Sequence, residues 1–232
     1  VSVSRTVRLP GIVWAQDFCV TGEGSYYVLG PQDAGSVHRV SAEGELLASF
    51  APLMDVEAAR VVYEAIPTPN IRQVLRDNIN RARIACPINE AGELLLVLSY
   101  EALPVVRAFR PTGAPAWTVE LKDFNPIEYT ITRDGHRMIR GAAQATVHTG
   151  KLITDLGNGV VAVTLRETSL TDLEGQTEVR FLSLSDGREL DRSIGSFVLA
   201  DAVDGVTYGF SNLPYPRVVA FGQPHSPDPD RE

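Results

Sequence analysis

The feature that most constrains this chain is a repeated phrase: a short run of β-branched and apolar residues, a Gly-containing turn, then another short run. Residues 25–29, 37–40 and 45–50 form one copy, with the turn Ala42-Glu43-Gly44 before its last run. Residues 82–88, 93–98, 105–109 and 116–121 form a second, punctuated by Glu90-Ala91-Gly92 and Pro111-Thr112-Gly113. A third reads 152–154, 160–165, 178–184 and 188–194, with turns at Gly157-Asn158-Gly159 and Ser185-Asp186-Gly187. A shorter fourth reads 197–200, 206–210 and 217–221 around Asp204-Gly205. Such runs are strands, and four of them in about 40 residues make one blade of a β-propeller. A single blade leaves both faces of its sheet uncovered, so blades must stack. The expected fold is all-β: a propeller of four-stranded antiparallel blades, five or six in number and some degenerate, with a short helical insertion. The chain has 232 residues, enough for one such domain over 1–222.

Two termini and two inner segments depart from the phrase. Residues 3–9 alternate apolar and polar side chains, and the fourth copy lacks a final strand. Residues 1–10 are therefore expected to close the ring by pairing into the last blade, which removes two sheet edges. The competing reading makes this strand the remnant of a preceding blade; the start at Val1 fits a cleaved leader or a sequence boundary. Over 52–83 the pattern turns irregular. Thr68-Pro69 reads as a helix N-cap followed by Pro at the first helical position. Ile71, Val74, Leu75 and Ile79 then fall at helical spacing, with Arg72, Arg76 and Arg81 on the other face. Residues 55–65 read equally as helix or strand. Residues 127–132 and 137–139 read as a hairpin around Asp134-Gly135. Residues 223–232 contain three Pro, three acids and no apolar side chain, and are expected to form an extended or disordered tail.

Composition narrows function more by exclusion than by assignment. The net charge of −8 disfavours nucleic acid, whose binding rests on neutralising phosphates. Of 21 basic residues only Lys122 and Lys151 are lysine, a bias that codon usage explains and that also favours forked contacts to carboxylates. No apolar run of about 18 residues is present to span a membrane as a helix. The two cysteines, Cys19 and Cys86, sit in apolar runs and read first as small core residues. The alternative is a disulfide, worth roughly 4 kcal/mol for so long a loop in the chain-entropy account. No His lies at zinc-ligand spacing from either.

The phrases Val37-His38-Arg39-Val40-Ser41-Ala42-Glu43-Gly44 and Val105-Val106-Arg107-Ala108-Phe109-Arg110-Pro111-Thr112-Gly113, with Ala116-Trp117 and Asp123-Phe124-Asn125-Pro126, resemble the bacterial six-bladed propeller proteins of the NHL and TolB-like kind. The resemblance covers about residues 11–221. It implies a non-catalytic, exported binding or scaffolding module and carries no catalytic residues across. A basic residue also recurs in the penultimate strand of three copies: Arg39, Arg107 and Arg180.

The chain lacks a Gly-x-Ser-x-Gly elbow, a phosphate loop, a dinucleotide fingerprint and an EF-hand loop. Its four histidines, His38, His136, His148 and His225, show no metal spacing, though His38 and His148 could meet at a propeller centre. Asp17, Asp155 and Asp201 each stand near an innermost strand. Together they could hold a hard cation; singly, such residues cap turns. Tyr26, Tyr27, Tyr208 and Tyr215 could form a binding rim. The leading expectation is a non-catalytic interaction or scaffold protein, without cofactor. It would be a periplasmic or exported accessory subunit that docks protein partners in a larger assembly, free or membrane-bound, through Arg72, Arg76, Arg81 and Tyr215. The alternative is a propeller hydrolase, lactonase or small-ligand binder using Asp17, Asp155 and Asp201 at the channel mouth.

Overall fold

The computed structural model describes residues 14–22, 24–142, 146–169, 176–195, 198–203, 206–211 and 217–222. The expected closing strand 1–10, the tail 223–232, Tyr215 and His225 lie outside the described residues. In chain order the elements are β1 (Asp17–Val20), β2 (Tyr26–Gln32), β3 (Gly35–Val40), β4 (Leu46–Phe50), β5 (Arg60–Tyr63), α1 (Pro69–Ile79), β6 (Ala82–Ala85), β7 (Leu96–Tyr100), β8 (Val105–Phe109) and β9 (Pro115–Glu120). There follow β10 (Ile127–Ile131), β11 (Met138–Ala142), β12 (Thr146–Gly157), β13 (Val160–Ser169), β14 (Gln176–Ser183), β15 (Glu189–Gly195), β16 (Val198–Val203), β17 (Val206–Ser211) and β18 (Arg217–Gly222).

Four sheets are sequential antiparallel meanders: β1–β4, β6–β9 and β12–β15, each four-stranded, and the three-stranded β16–β18. Their first strands stand side by side, β1 beside β6, β6 beside β12, and β12 beside β16. Blades that share a line of first strands and pack face to face are a β-propeller. Strand periodicity explains how β7 can be buried along its whole length. Leu96 and Leu98 point into the first blade, against Tyr27, Leu29 and Val37. Val97 points the other way, into the third blade's Val163, Leu165 and Leu182. Each such side chain contributes about 1.5–3 kcal/mol when fully buried. Trp117 crosses the same interface and donates its indole N–H to the Leu184 carbonyl at 2.8 Å.

The two cysteines are bonded, which corrects the reading of them as separate core residues: Cys19 and Cys86 form a disulfide with Cα atoms 6.0 Å apart. Adjacent first strands place them together although 67 residues separate them in sequence. That neighbourhood belongs to the ring, and no local pattern encodes it.

The irregular stretch ends two residues earlier than its expected bound at 83, because Ala82 and Arg83 already belong to β6. Residues 55–65 become a 3-10 turn, Val56–Ala58, followed by β5. This strand crosses an entire blade to pair parallel with β10 (Tyr129 opposite Val61), while β11 pairs antiparallel on β10's other side. The fifth sheet, ordered β11-β10-β5, is thus mixed and is built from two segments flanking the second blade. Leu75 and Ile79 of α1 cover one of its faces against Ile127 and Tyr129.

Candidate functional site

Of the three carboxylates expected to line a channel, Asp17 and Asp155 each hold backbone amides. Asp17 accepts the Phe18 amide at 2.9 Å through Oδ1 and the Ile84 amide at 3.1 Å through Oδ2. Asp155 accepts the Gly157 amide at 2.9 Å and shapes its own turn. Asp201 lies in β16, and its side chain is outside the described residues. His38 is buried and bonded to Ser49 Oγ at 2.8 Å and to the Gly30 carbonyl at 2.7 Å, both within its own blade. His148 is held by other partners, described below, so the two rings do not share a site. Among the described residues, no group of three His, Cys, Asp or Glu is placed to hold a metal ion.

The densest polar cluster locks blades two and three. Arg180 is fully buried. Its Nε donates to Glu178 Oε1 at 3.0 Å, and its Nη1 reaches the Lys122 carbonyl and Glu189. Arg192 Nε reaches the same Glu178 oxygen at 3.1 Å. The Asn125 amide donates to His148 Nδ1 at 2.8 Å, so the ring proton sits on Nε2 and is directed at Glu178 Oε2, 3.3 Å away. Burial alone would raise the Glu178 carboxyl, but the His148 hydrogen bond and the two guanidinium groups outweigh it and hold it below the ordinary glutamate value. Every acceptor in this cluster faces the chain 122–125 or the blade itself, which makes it a joint.

The open chemistry lies on the insertion. Thr68 caps α1, its hydroxyl oxygen accepting the Ile71 amide, and Pro69 opens the helix. Buried Asn80 ties the helix end to the incoming chain, accepting the Met54 amide at 2.7 Å and donating to the Met54 carbonyl at 3.1 Å. At the other end the Thr68 amide donates to the Gly135 carbonyl at 3.0 Å, so the hairpin turn grips the helix start. This leaves a cleft of about 440 Å³ lined by Ile71, Val74, His136, Arg137, Met138 and Ile139. Beside it Tyr63 is 53% exposed, Ile139 57% and Ile66 82%. Val62, Thr130 and Ile139 align across the sheet's uncovered face. Among the described residues, the outer edges of β5 and β11 pair with no further strand.

The three arginines expected to share a docking face have different surroundings. Arg72 is exposed on α1 without an ion pair among the described residues. Arg76 bridges to Asp33 of the first blade. Arg81 lies over the Trp14 ring, 5.3 Å from its centroid.

No family model matches the chain, and no curated protein sequence matches it. Among solved structures, the chain is similar to an endo-arabinase from Bacteroides thetaiotaomicron VPI-5482, at 12% identity and a TM-score of 0.42 over 96% of this chain and 80% of that one. It is also similar to BamB from Moraxella catarrhalis, at 13% identity and a TM-score of 0.29 over 88% of this chain and 60% of that one. Among the described residues, no helix is long and apolar enough to cross a membrane.

Sequence reasoning found the helix and the hairpin of this site but missed their common sheet. The available signal was the Val61-Val62-Tyr63 run, strand-like in composition and without a neighbour in its own blade to pair with.

Proposed function

We propose that this protein is a non-catalytic interaction module, an accessory subunit that docks protein partners in a larger extracytoplasmic assembly through its mixed sheet. The observation that carries this reading is the outer edge of β5, which pairs with no further strand among the described residues and is flanked by exposed Val62 and Tyr63. An open edge with apolar side chains beside it is a template for a strand of another chain. The Glu64 amide donates to Ile131, so strand parity turns the Val61 and Tyr63 amides outward. The occupant is an extended segment of a partner protein, with Arg60 and Arg72 favouring acidic side chains on it. The disulfide supports an oxidising compartment outside the cytoplasm. In the NHL and TolB-like reading, the four meanders supply four of five or six blades.

The test is native mass after gentle extraction from the source cells, for the wild type and for a Val62→Lys, Ile139→Lys double variant. A stoichiometric complex well above 25.2 kDa that is lost in the variant supports the reading. A wild type that runs alone, or a complex indifferent to the double variant, overturns it.

A further inference from the structure

The cleft between α1 and the β10–β11 hairpin has an open side and a closed end. One wall is Ile71 and Val74 of the helix; the other is Met138 and Ile139 of β11. The hairpin turn shuts the end nearest the helix start. There the Gly135 carbonyl accepts the Thr68 amide at 3.0 Å, and a Cβ on Gly135 would stand 2.4 Å from the Ile66 carbonyl oxygen. Backbone so close to backbone leaves no room for a further chain to pass.

The residues that follow the turn, His136 and Arg137, complete the lining at this end, and no carboxylate lines the cleft. Asp134, on the turn itself, is already engaged: it accepts the Thr132 hydroxyl at 2.6 Å and the His136 amide at 2.9 Å. Its other oxygen stands 3.8 Å from Arg137 Nη2, beyond hydrogen-bond distance. Among the described residues, neither the Arg137 guanidinium nor the His136 ring makes a hydrogen bond, and both side chains are exposed.

The open side is the outer edge of β11, which pairs with no further strand among the described residues. The Thr132 amide donates to the Arg137 carbonyl at 3.1 Å, and in an antiparallel ladder hydrogen-bonded pairs alternate with non-bonded ones. Thr130 with Ile139 and Glu128 with Gly141 are therefore the next bonded pairs. Met138 and Arg140 fall between them, so their amides and carbonyls turn outward, beside the cleft that Met138 lines. An edge that offers main-chain donors and acceptors next to an apolar cleft suits an extended chain.

We propose that this edge captures the carboxyl-terminal end of a partner polypeptide, whose last residue puts a bulky apolar side chain into the cleft and its α-carboxylate on Arg137 and His136. The captured chain runs antiparallel to β11, bonds to Met138 and Arg140, and stops where the turn closes the cleft. The volume of about 440 Å³ lies towards the lower end of the range for ligand sites, about 300–1,000 Å³, and takes one large side chain with its carboxylate. A guanidinium forks onto a carboxylate through two parallel hydrogen bonds. An internal residue brings no such charge, and its chain would have to continue through the turn. Resting on the docking role proposed above for the mixed sheet, this site occupies the edge opposite β5.

The test measures fluorescence polarisation of labelled short peptides on the full chain with its disulfide intact. The peptides are randomised except at the last residue, which is Phe, Leu or Ser, and each pool is made with a free and with an amidated carboxyl terminus. The free-acid pools ending in Phe or Leu should bind saturably and the Ser pool should not. Amidation should weaken binding about tenfold or more, the loss expected for one charge-assisted contact. A His136→Asn, Arg137→Gln variant should bind acid and amide alike. Val74→Lys puts a charge into the cleft and should abolish binding, whereas Leu190→Lys, on the outer strand of blade three, should bind as the wild type does. All four positions are exposed, so the variants keep the fold. No saturable binding of any acid pool, equal affinity of the wild type for acid and amide, an acid preference that persists in the His136→Asn, Arg137→Gln variant, or binding that survives Val74→Lys overturns the proposal. A cellular complex lost in the Val62→Lys, Ile139→Lys variant, with no peptide bound here, removes the captured terminus and leaves the docking role standing.

Discussion

The Asp17 carboxylate accepts the Ile84 amide across 3.1 Å, so an acid of the first blade acts as strand partner to the second. Gln16 Oε1 does the same for the Ala82 amide at 3.1 Å, and two residues further along both strands Cys19 is bonded to Cys86. The strand β6 lies at the edge of its sheet, and its outward amides would otherwise face the neighbouring blade unsatisfied. Side-chain acceptors and one covalent bond stitch the two first strands together, since the chain itself supplies no continuous ladder between blades.

Removal of the covalent part should be costly. The bond closes a loop between residues 67 apart, and Cys19→Ser with Cys86→Ser should lower unfolding free energy by about 4 kcal/mol on the chain-entropy account. Urea unfolding of the double variant, beside wild type with and without reductant, measures this. The reduced wild type should match the variant. Coincident midpoints for oxidised and reduced protein would show that the bond adds nothing.

The acceptor part separates charge from hydrogen bonding. Asp17→Asn keeps an acceptor oxygen for Ile84 and should cost little. Asp17→Ala strips the Ile84 amide of its partner and should cost about 1–3 kcal/mol. Denaturant midpoints for the two variants decide the matter; equal losses would mean that the carboxylate's charge, and not its geometry, holds the strands.

The Glu178 joint sets a pH response. Its carboxyl lies lower in the folded chain than the ordinary value of 4.5. The stabilisation it brings is therefore complete above pH 4.5 and declines as pH falls through the lower folded value. Glu178→Gln leaves buried Arg180 with only the more distant Glu189 as counter-charge and should cost about 3 kcal/mol near neutrality. The variant should also lose less stability than the wild type on acidification below pH 4.5, as thermal midpoints across pH 3–7 would show. Parallel pH profiles for the two proteins would remove Glu178 from the acid transition.

Much of this architecture is legible because propeller blades are local. The runs that become β8, β13 and β17 each adjoin a Gly-containing phrase in the sequence and pair with their sequence neighbours, so composition and period identify them. Thr68-Pro69 and the spacing of Ile71, Leu75 and Ile79 likewise mark α1. What escapes the sequence is long-range. Cys19 meets Cys86 because first strands are neighbours in the ring, and β5 finds β10 only after a whole blade has intervened. Asp17 and Asp155 look alike in sequence, yet one serves another blade's amide and the other its own turn.

The hairpin's grip on the helix offers a way to loosen the insertion while leaving the blades alone. Gly135 has φ of +68°, and a Cβ there would stand 2.4 Å from the Ile66 carbonyl oxygen. Its own carbonyl accepts the Thr68 amide at 3.0 Å, at the residue that caps α1. Gly135→Ala therefore adds both a left-handed alanine and a backbone collision, and the turn must retreat from residues 66–68. The left-handed conformation alone costs about 1–2 kcal/mol for a residue with a Cβ. Relief of the collision should break the Thr68 contact and fray the first turn of the helix. Amide exchange should accelerate in α1 and β11, while β7 and β13, buried between blades, should keep their protection. If the insertion is the docking element, the variant also loses its partner in the native-mass experiment without a fall in blade stability. Uniform acceleration across the blades would instead mean that the insertion and the propeller unfold as one unit.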